Sequence, residues 1–232
     1  MKWWWAPLGL YALLAAPPGQ QVPVNGRIQL NDSTDASGAV VWLTPLGDSH
    51  IVEPQRAHRA RLLQKNKTFT PHVVVMPVGS AIEFPNQDPF FHNVFSLFEG
   101  KRFDLGLYEA GTTRTVVFDR PGISYIFCNI HPDMSAVVIA LNTPYYGISV
   151  PDGSVVIPGV PVGPYEMRAW HERVLPETLN DITQRIVVSD AYHTFGVLRL
   201  TEQRGFSQAH KNKYGKDYDT PSSGSPLYDS RP

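Results

Sequence analysis

Apolar residues along this chain come in short alternating runs, broken at close intervals by glycine, proline, asparagine and aspartate. "VNGRIQLN" (24–31) and "GAVVWLTPL" (38–46) read as two strands on either side of a Ser/Thr/Asp/Gly turn. From 61 the stretch "RLLQKNKTFTPHVVVMPVGSAIEFPNQD" predicts strands between turn signals at Asn66, Pro77–Gly79 and Asn86–Asp88. "TRTVVFDRPGISYIFCNIHPDMSAVVIAL" (113–141) predicts three more, broken at Asp119–Gly122 and Asn129–Asp133. "GSVVIPGVPVGPYEMRAWHE" (153–172) and "TQRIVVSD" (183–190) again read as β. Helical periodicity is nearly absent, so the predicted fold class is all-β. Beyond about 203 the chain is polar and aperiodic, which predicts a disordered or loosely attached tail over 203–232.

Composition sharpens this picture in three respects. The 21 prolines and 18 glycines suit a turn-rich β protein, and 232 residues suffice for one large or two smaller domains. A net charge of -1 with 18% charged residues offers no basic surface for nucleic acid or acidic lipid. A single cysteine excludes an internal disulfide framework and any site needing two thiolates from one chain. At the N-terminus, Lys2 precedes an apolar stretch from Trp3 to Ala16, broken only at Pro7. It falls short of the roughly 20 residues of a membrane span and reads as a signal peptide over 1–19, although Pro17 and Pro18 mark a poor cleavage site. The expectation is export to the periplasm or beyond, with no membrane span in the mature chain.

The one cysteine sits in "CNIHPDM" (128–134), which spaces Cys128, His131 and Met134 three residues apart. Copper cycling between two oxidation states favours a thiolate, imidazole nitrogens and a weak soft axial donor. A tight loop between two strands can bring such residues to one point, but the second imidazole must come from elsewhere. "FPNQDPFFHNVFS" (84–96) supplies His92 at the start of an apolar strand. Asn93 follows it, where a backbone N–H or side-chain amide can hydrogen-bond the cysteine sulfur and tie the two loops together.

On these residues the segment 61–142 resembles the cupredoxins, the blue-copper family that includes plastocyanin, pseudoazurin and amicyanin. The family places an upstream His-Asn on one loop and Cys, His and Met on another, and the short gap between His131 and Met134 is similar to that of amicyanin-like members. "NKTFTPHVVVMPVGSAIEFPNQD" also resembles the family's opening strand, V-x-x-G turn and F-x-N-x-D segment. The resemblance implies a Greek-key β-sandwich that binds one type 1 copper. Its ligands are then His92, Cys128, His131 and Met134, with Asn93 behind them. An apolar patch of Pro89, Phe90, Phe91 and Pro132 fits the family's route for electrons, with Asp133 as a departure that charges its rim.

Other chemistries fit less well. Cys128 and His131 on one short loop align poorly as nucleophile and base. Zinc has little use for a methionine. There is no C-x-x-C-H haem motif, no His-x-His pair of a multicopper oxidase and no second cysteine for a dinuclear copper centre, so no enzyme activity is expected. His50, His58, His72, His193 and His210 show no ligand spacing and read as surface or capping residues. His171, in "WHE" (170–172), reads as a hydrogen-bonding residue, with a second metal or a partner contact as the alternative.

The flanks have their own likeness. "GSVVIPGVPVGPYEMRAWHE" resembles the carboxypeptidase regulatory-like, or transthyretin-like, sandwich, whose usual opening strands match the hairpin before the cupredoxin segment. The expected organisation is therefore 20–60 and 143–202 as one small sandwich with 61–142 inserted; the alternative joins 20–60 to the cupredoxin and leaves 143–202 separate. The function expected is a single-electron carrier between a redox donor and acceptor. A copper-delivery protein is the alternative.

Overall fold

A computed structural model describes residues 20–47, 57–97, 100–207 and 209–218. The predicted signal segment and residues 219–232 lie outside these, as does His50. The strands in chain order begin with β1 (Gln21–Leu30), β2 (Val40–Pro45), β3 (Arg59–Arg61), β4 (Leu63–Lys65), β5 (Thr68–Thr70) and β6 (Val73–Pro77). Next come β7 (Ala81–Pro85), β8 (His92–Ser96), β9 (Phe103–Tyr108), β10 (Thr113–Val117), β11 (Gly122–Phe127) and β12 (Ser135–Leu141). The chain continues with β13 (Tyr146–Ile148), β14 (Ser154–Pro161), β15 (Gly163–Trp170), the short helix α1 (Pro176–Asp181), β16 (Gln184–Val188) and β17 (Thr194–Leu200). The molecule is almost all β, as the alternating pattern predicts. Three strands, β9, β13 and β17, fall where the sequence reading places none; in β9 "FDLGLY" carries a glycine and an aspartate inside a short run. Its pairing with β8 supplies the backbone partners.

The strands form two pairs of sheets. In the first pair, a five-stranded sheet of order β6-β12-β11-β8-β9 faces a three-stranded sheet of order β10-β7-β3, with the hairpin β4-β5 at its side. In the second, a β14-β1-β17 sheet faces a β13-β2-β15-β16 sheet. The chain leaves the second pair at the end of β2 and returns in β13, which lies antiparallel beside β2 with Tyr146 opposite Trp42. Thr143 Oγ1 donates to the Leu43 carbonyl at 2.6 Å, and the Leu43 N–H donates to the Tyr145 carbonyl, so the outgoing and returning segments are tied side by side.

Two apolar clusters fill these layers. One gathers Leu62, Phe84, Val94, Tyr108, Phe118 and Ile126 together with Cys128 and Met134. The other gathers Ile28, Leu43, Ile157, Tyr165, Trp170 and Leu198. Burying each Val, Leu, Ile or Phe stabilises by about 1.5–3 kcal/mol. "SAVVIAL" of β12 is buried along its whole length, and strand alternation explains its role. Ala136, Val138 and Ala140 face the cluster that contains Cys128, whereas Val137, Ile139 and Leu141 face the other. Gly153, in the β13–β14 turn, has φ 83°, and a Cβ there would lie 2.0 Å from the Ile28 carbonyl oxygen. Only glycine fits both the conformation and the space.

The tail departs from its prediction over its first half. Residues 209–218 are not loose but lie against the loop that carries Cys128. The His210 N–H donates to the Pro132 carbonyl at 3.1 Å, and the Lys213 N–H donates to Asn129 Oδ1 at 2.8 Å. The Tyr218 hydroxyl donates to the Cys128 carbonyl at 2.7 Å. The His210 ring packs on Phe127 with centroids 4.3 Å apart. Aromatic groups spaced through a polar stretch supply enough contact where averaged composition predicts none.

Candidate metal centre

The site assembles at one end of the first sheet pair, from two loops. The first precedes β8. Asn86 fixes its shape: its Oδ1 accepts the Asp88 N–H at 3.0 Å and its Nδ2 donates to the Phe90 carbonyl at 2.8 Å. His92 then enters β8 with its ring fully buried. The second loop joins β11 to β12, whose ladder is closed by Phe127 opposite Ser135. Within it the Cys128 N–H donates to the Met134 carbonyl at 3.1 Å, and the Met134 N–H donates to the His131 carbonyl at 3.2 Å. The loop turns back on itself and keeps Cys128, His131 and Met134 at its neck.

The donor atoms converge. Cys128 Sγ lies 3.4 Å from His131 Nδ1 and 3.7 Å from His92 Nδ1, and the three donor atoms all fall within 4.8 Å of one another. The two imidazole rings are 4.9 Å apart between centroids. Exposure is 0% for His92, Cys128 and Met134 and 8% for His131. Among the described residues, no other group of His, Cys, Asp and Glu side chains is arranged to hold a metal.

Electrostatics prepares these donors. Burial pushes the His131 imidazole down to about 4, and the neighbouring His92 adds to the effect. Burial also lowers His92, against the opposing pull of Asp88. Both rings are therefore neutral near pH 7, with lone pairs available for a cation. His92 Nε2 lies 2.8 Å from Asp88 Oδ2, so Nε2 carries the proton and Nδ1, the atom facing sulfur, is bare. Burial pushes the Cys128 thiol up, while backbone N–H groups of Asn93, Ile130 and His131 oppose this by favouring the thiolate. A bound cation would complete that deprotonation.

The sequence expectations for the surroundings meet mixed outcomes. The Asn93 backbone N–H points at the Cys128 sulfur, but its side-chain amide donates to Asp104 Oδ1 at 2.7 Å and does not reach the cysteine loop. Phe90 is half-buried against both imidazoles, at 5.3 Å from His92 and 5.7 Å from His131. Pro89, Phe91, Pro132 and Asp133 are exposed. His171 is buried and accepts the Arg173 N–H at 3.2 Å, the hydrogen-bonding role expected for it. His193 caps a local turn through the Asp190 carbonyl. His72 and His210 are more than surface residues: His72 pairs with Glu172 at 2.7 Å, and His210 packs beneath the cysteine loop. Sequence reasoning missed the Asp88–His92 contact, although the two stand four residues apart in the same quoted motif.

No protein-family model matches the chain, and no curated protein matches it. Solved structures give partial likenesses. A purple cupredoxin from Nitrosopumilus maritimus is 23% identical over 37% of this chain and 100% of that one, with a TM-score of 0.32. Amicyanin from Paracoccus versutus is 20% identical over 35% of this chain and 80% of that one, with a TM-score of 0.33. A copper-containing nitrite reductase from Thermus scotoductus is 21% identical with a TM-score of 0.34, but the matched part, 42% of this chain, spans only 25% of that enzyme. At such identities and scores the chemistry rests on the donor set itself. Two buried imidazole nitrogens and a thiol within 4.8 Å of one another, with a buried thioether on the same loop, fit a type 1 copper site.

Proposed function

We propose that this chain is a single-electron carrier that binds one copper through His92 Nδ1, Cys128 Sγ and His131 Nδ1, with the Met134 thioether as the weak fourth donor. Bound copper supplies a one-electron couple between Cu(I) and Cu(II). The protein's task is to keep its donors still while the charge changes. Asn86 braces the first loop, the Cys128–Met134 and Met134–His131 backbone bonds brace the second, and residues 209–218 cover its back. Burial of all four side chains keeps water from adding to the donor set. The observation that carries the reading is the convergence of three neutral or deprotonatable donors in a dry site.

Burial of the donors favours electron transfer over copper delivery, since a delivery protein needs a donor exposed to its acceptor, and here none is more than 8% exposed. The half-buried Phe90 beside exposed Pro89 and Phe91 supports contact with a redox donor and acceptor at this end. We also propose the organisation 20–60 with 143–202 as one sandwich carrying 61–142 as an insert, supported by β13 lying beside β2. Export to the periplasm remains a proposal from the sequence of residues 1–19. Among the described residues no helix is long and apolar enough to cross a membrane.

Stoichiometric Cu(II) should give an intense thiolate-to-copper absorption near one equivalent, lost in Cys128→Ala with the far-ultraviolet circular dichroism retained. Reduced protein should keep its copper against a moderate Cu(I) chelator. A colourless Cu(II) complex would overturn the site, and rapid loss of Cu(I) would favour delivery.

A further inference from the structure

One polar group in the site is not explained by metal ligation alone. Asp88 is 4% exposed, and an ionised carboxylate so placed must be fully paired. It accepts three hydrogen bonds. The Asn66 N–H reaches Oδ1 at 2.6 Å, the Lys67 N–H reaches Oδ2 at 2.9 Å, and His92 Nε2 meets Oδ2 at 2.8 Å. The two backbone donors belong to the two-residue turn between β4 and β5, where both residues have positive φ, 55° at Asn66 and 56° at Lys67. That mirror-image turn matches the twist of its strands and points successive N–H groups to one side, making a small anion cradle. Asn66 suits this conformation, but Lys67 stands where glycine is usual, and the carboxylate bonds offset that cost.

The arrangement runs in one line: hairpin turn, carboxylate, imidazole, sulfur. Resting on the copper-carrier reading, we propose that Asp88 is a positioning residue for the metal centre, which fixes the His92 tautomer and ring orientation and biases the centre toward Cu(II). The first effect follows from geometry, because an acceptor at Nε2 leaves only Nδ1 as the donor atom. The second follows from charge: a carboxylate one imidazole away raises the basicity of Nδ1 and stabilises the higher-charged ion more than the lower. It therefore opposes the soft Met134 and the dry surroundings, which favour Cu(I). The hairpin tip, although it touches no ligand, becomes part of the potential-setting apparatus.

Asp88→Asn tests this in the full chain. An amide can satisfy one N–H of the turn but presents its own NH2 to the other. With copper(II) sulfate as the probe, the variant should bind Cu(II) about tenfold more weakly while Cu(I) affinity changes less. That difference corresponds to a reduction potential raised by as much as about 59 mV for this one-electron couple. A second measurement needs no copper. In the metal-free wild type, nitrogen-15 shifts of His92 should show the Nε2–H tautomer alone, and in Asp88→Asn a mixture. A purely structural role in capping the hairpin would lower stability but move neither tautomer nor potential. Wild type that stains blue, with a variant of unchanged potential and an unchanged tautomer, overturns the Asp88 assignment and leaves the carrier reading intact. Wild type that stays colourless overturns the carrier reading, and the tautomer then decides Asp88 alone. If the variant fails to fold, a wild-type His92 with mixed tautomers refutes the assignment, and a pure Nε2–H form supports it.

Discussion

Replacing Glu172 by glutamine should remove a pH-dependent brace between the two sheet pairs. His72 lies just before β6, and Glu172 follows β15 in the other pair. His72 Nε2 meets Glu172 Oε2 at 2.7 Å, while Nδ1 meets the Ser135 carbonyl at 3.1 Å, beside Met134. Both ring nitrogens face acceptors, an arrangement that only the doubly protonated imidazolium satisfies. The Glu172 hydrogen bond accordingly raises the His72 pKa above its usual 6.5, against the opposing effect of burial. A hydrogen bond to a charged group is worth about 1.5–3 kcal/mol when dry. The side chains here are 34% and 17% exposed, and screening reduces the expectation to about 1 kcal/mol.

The direction with pH follows from the raised value. A histidine that binds its proton more tightly when folded stabilises fully below pH 6.5, and that contribution fades as the pH climbs through the folded pKa. His92, His131, His171 and His210 are all lowered by burial, so they act the other way and weaken the protein as pH falls from 6.5. Wild type alone mixes the two trends. Urea unfolding of metal-free wild type and Glu172→Gln at pH 5.5 and 8.5 separates them. The variant should be about 1 kcal/mol less stable at pH 5.5, with the gap narrowing at pH 8.5 and shrinking in high salt. An equal gap at both pH values would refute the assigned charge state of His72.

Two further substitutions probe other parts of the structure. Tyr218→Phe removes the hydroxyl that donates to the Cys128 carbonyl and should cost about 1 kcal/mol locally, read as roughly fivefold faster amide exchange in 209–218; unchanged exchange would show that this segment does not depend on the bond. Gly153→Ala forces a Cβ to 2.0 Å from the Ile28 carbonyl at φ 83° and should cost at least about 2 kcal/mol, with a lower Tm and the copper colour of the folded fraction unchanged. A neutral result there would contradict the close approach of the β13–β14 turn to β1.

What the sequence made legible followed the reach of each signal. Cys128, His131 and Met134 stand within seven residues on one hairpin loop, so their spacing alone places them together, and His92 is marked by the unusual motif around it. The three strands expected over 113–141 appear as β10, β11 and β12, since their breaks carry turn residues. Contacts between distant segments leave no such trace. The parallel pairing of β1 with β17 joins the first and last strands, and nothing in either run names the other. His72 and Glu172 stand 100 residues apart, and nothing in the sequence around either one names the other. The segment 209–218 was hidden by its own polarity, because hydrogen bonds to carbonyls on the cysteine loop, and not burial of aliphatic side chains, hold it in place.

The position of β12 links these features. Met134 immediately precedes it, and the strand is buried on both sides. One face packs with Cys128 and Met134 and the other with the cluster around Trp170, whose indole N–H donates to the Tyr125 hydroxyl at 3.3 Å on the neighbouring β11. A strand so confined cannot shift its register without exposing one whole face or driving the other into its neighbours. Because β11 and β12 carry the two ends of the cysteine loop, the second sheet pair holds that loop from behind through Val137, Ile139 and Leu141. The His72–Ser135 contact adds a polar tie at the same point. On this account the second sheet pair is a buttress for the donor geometry, and weakening its packing on β12 loosens the loop before it unfolds the sheet.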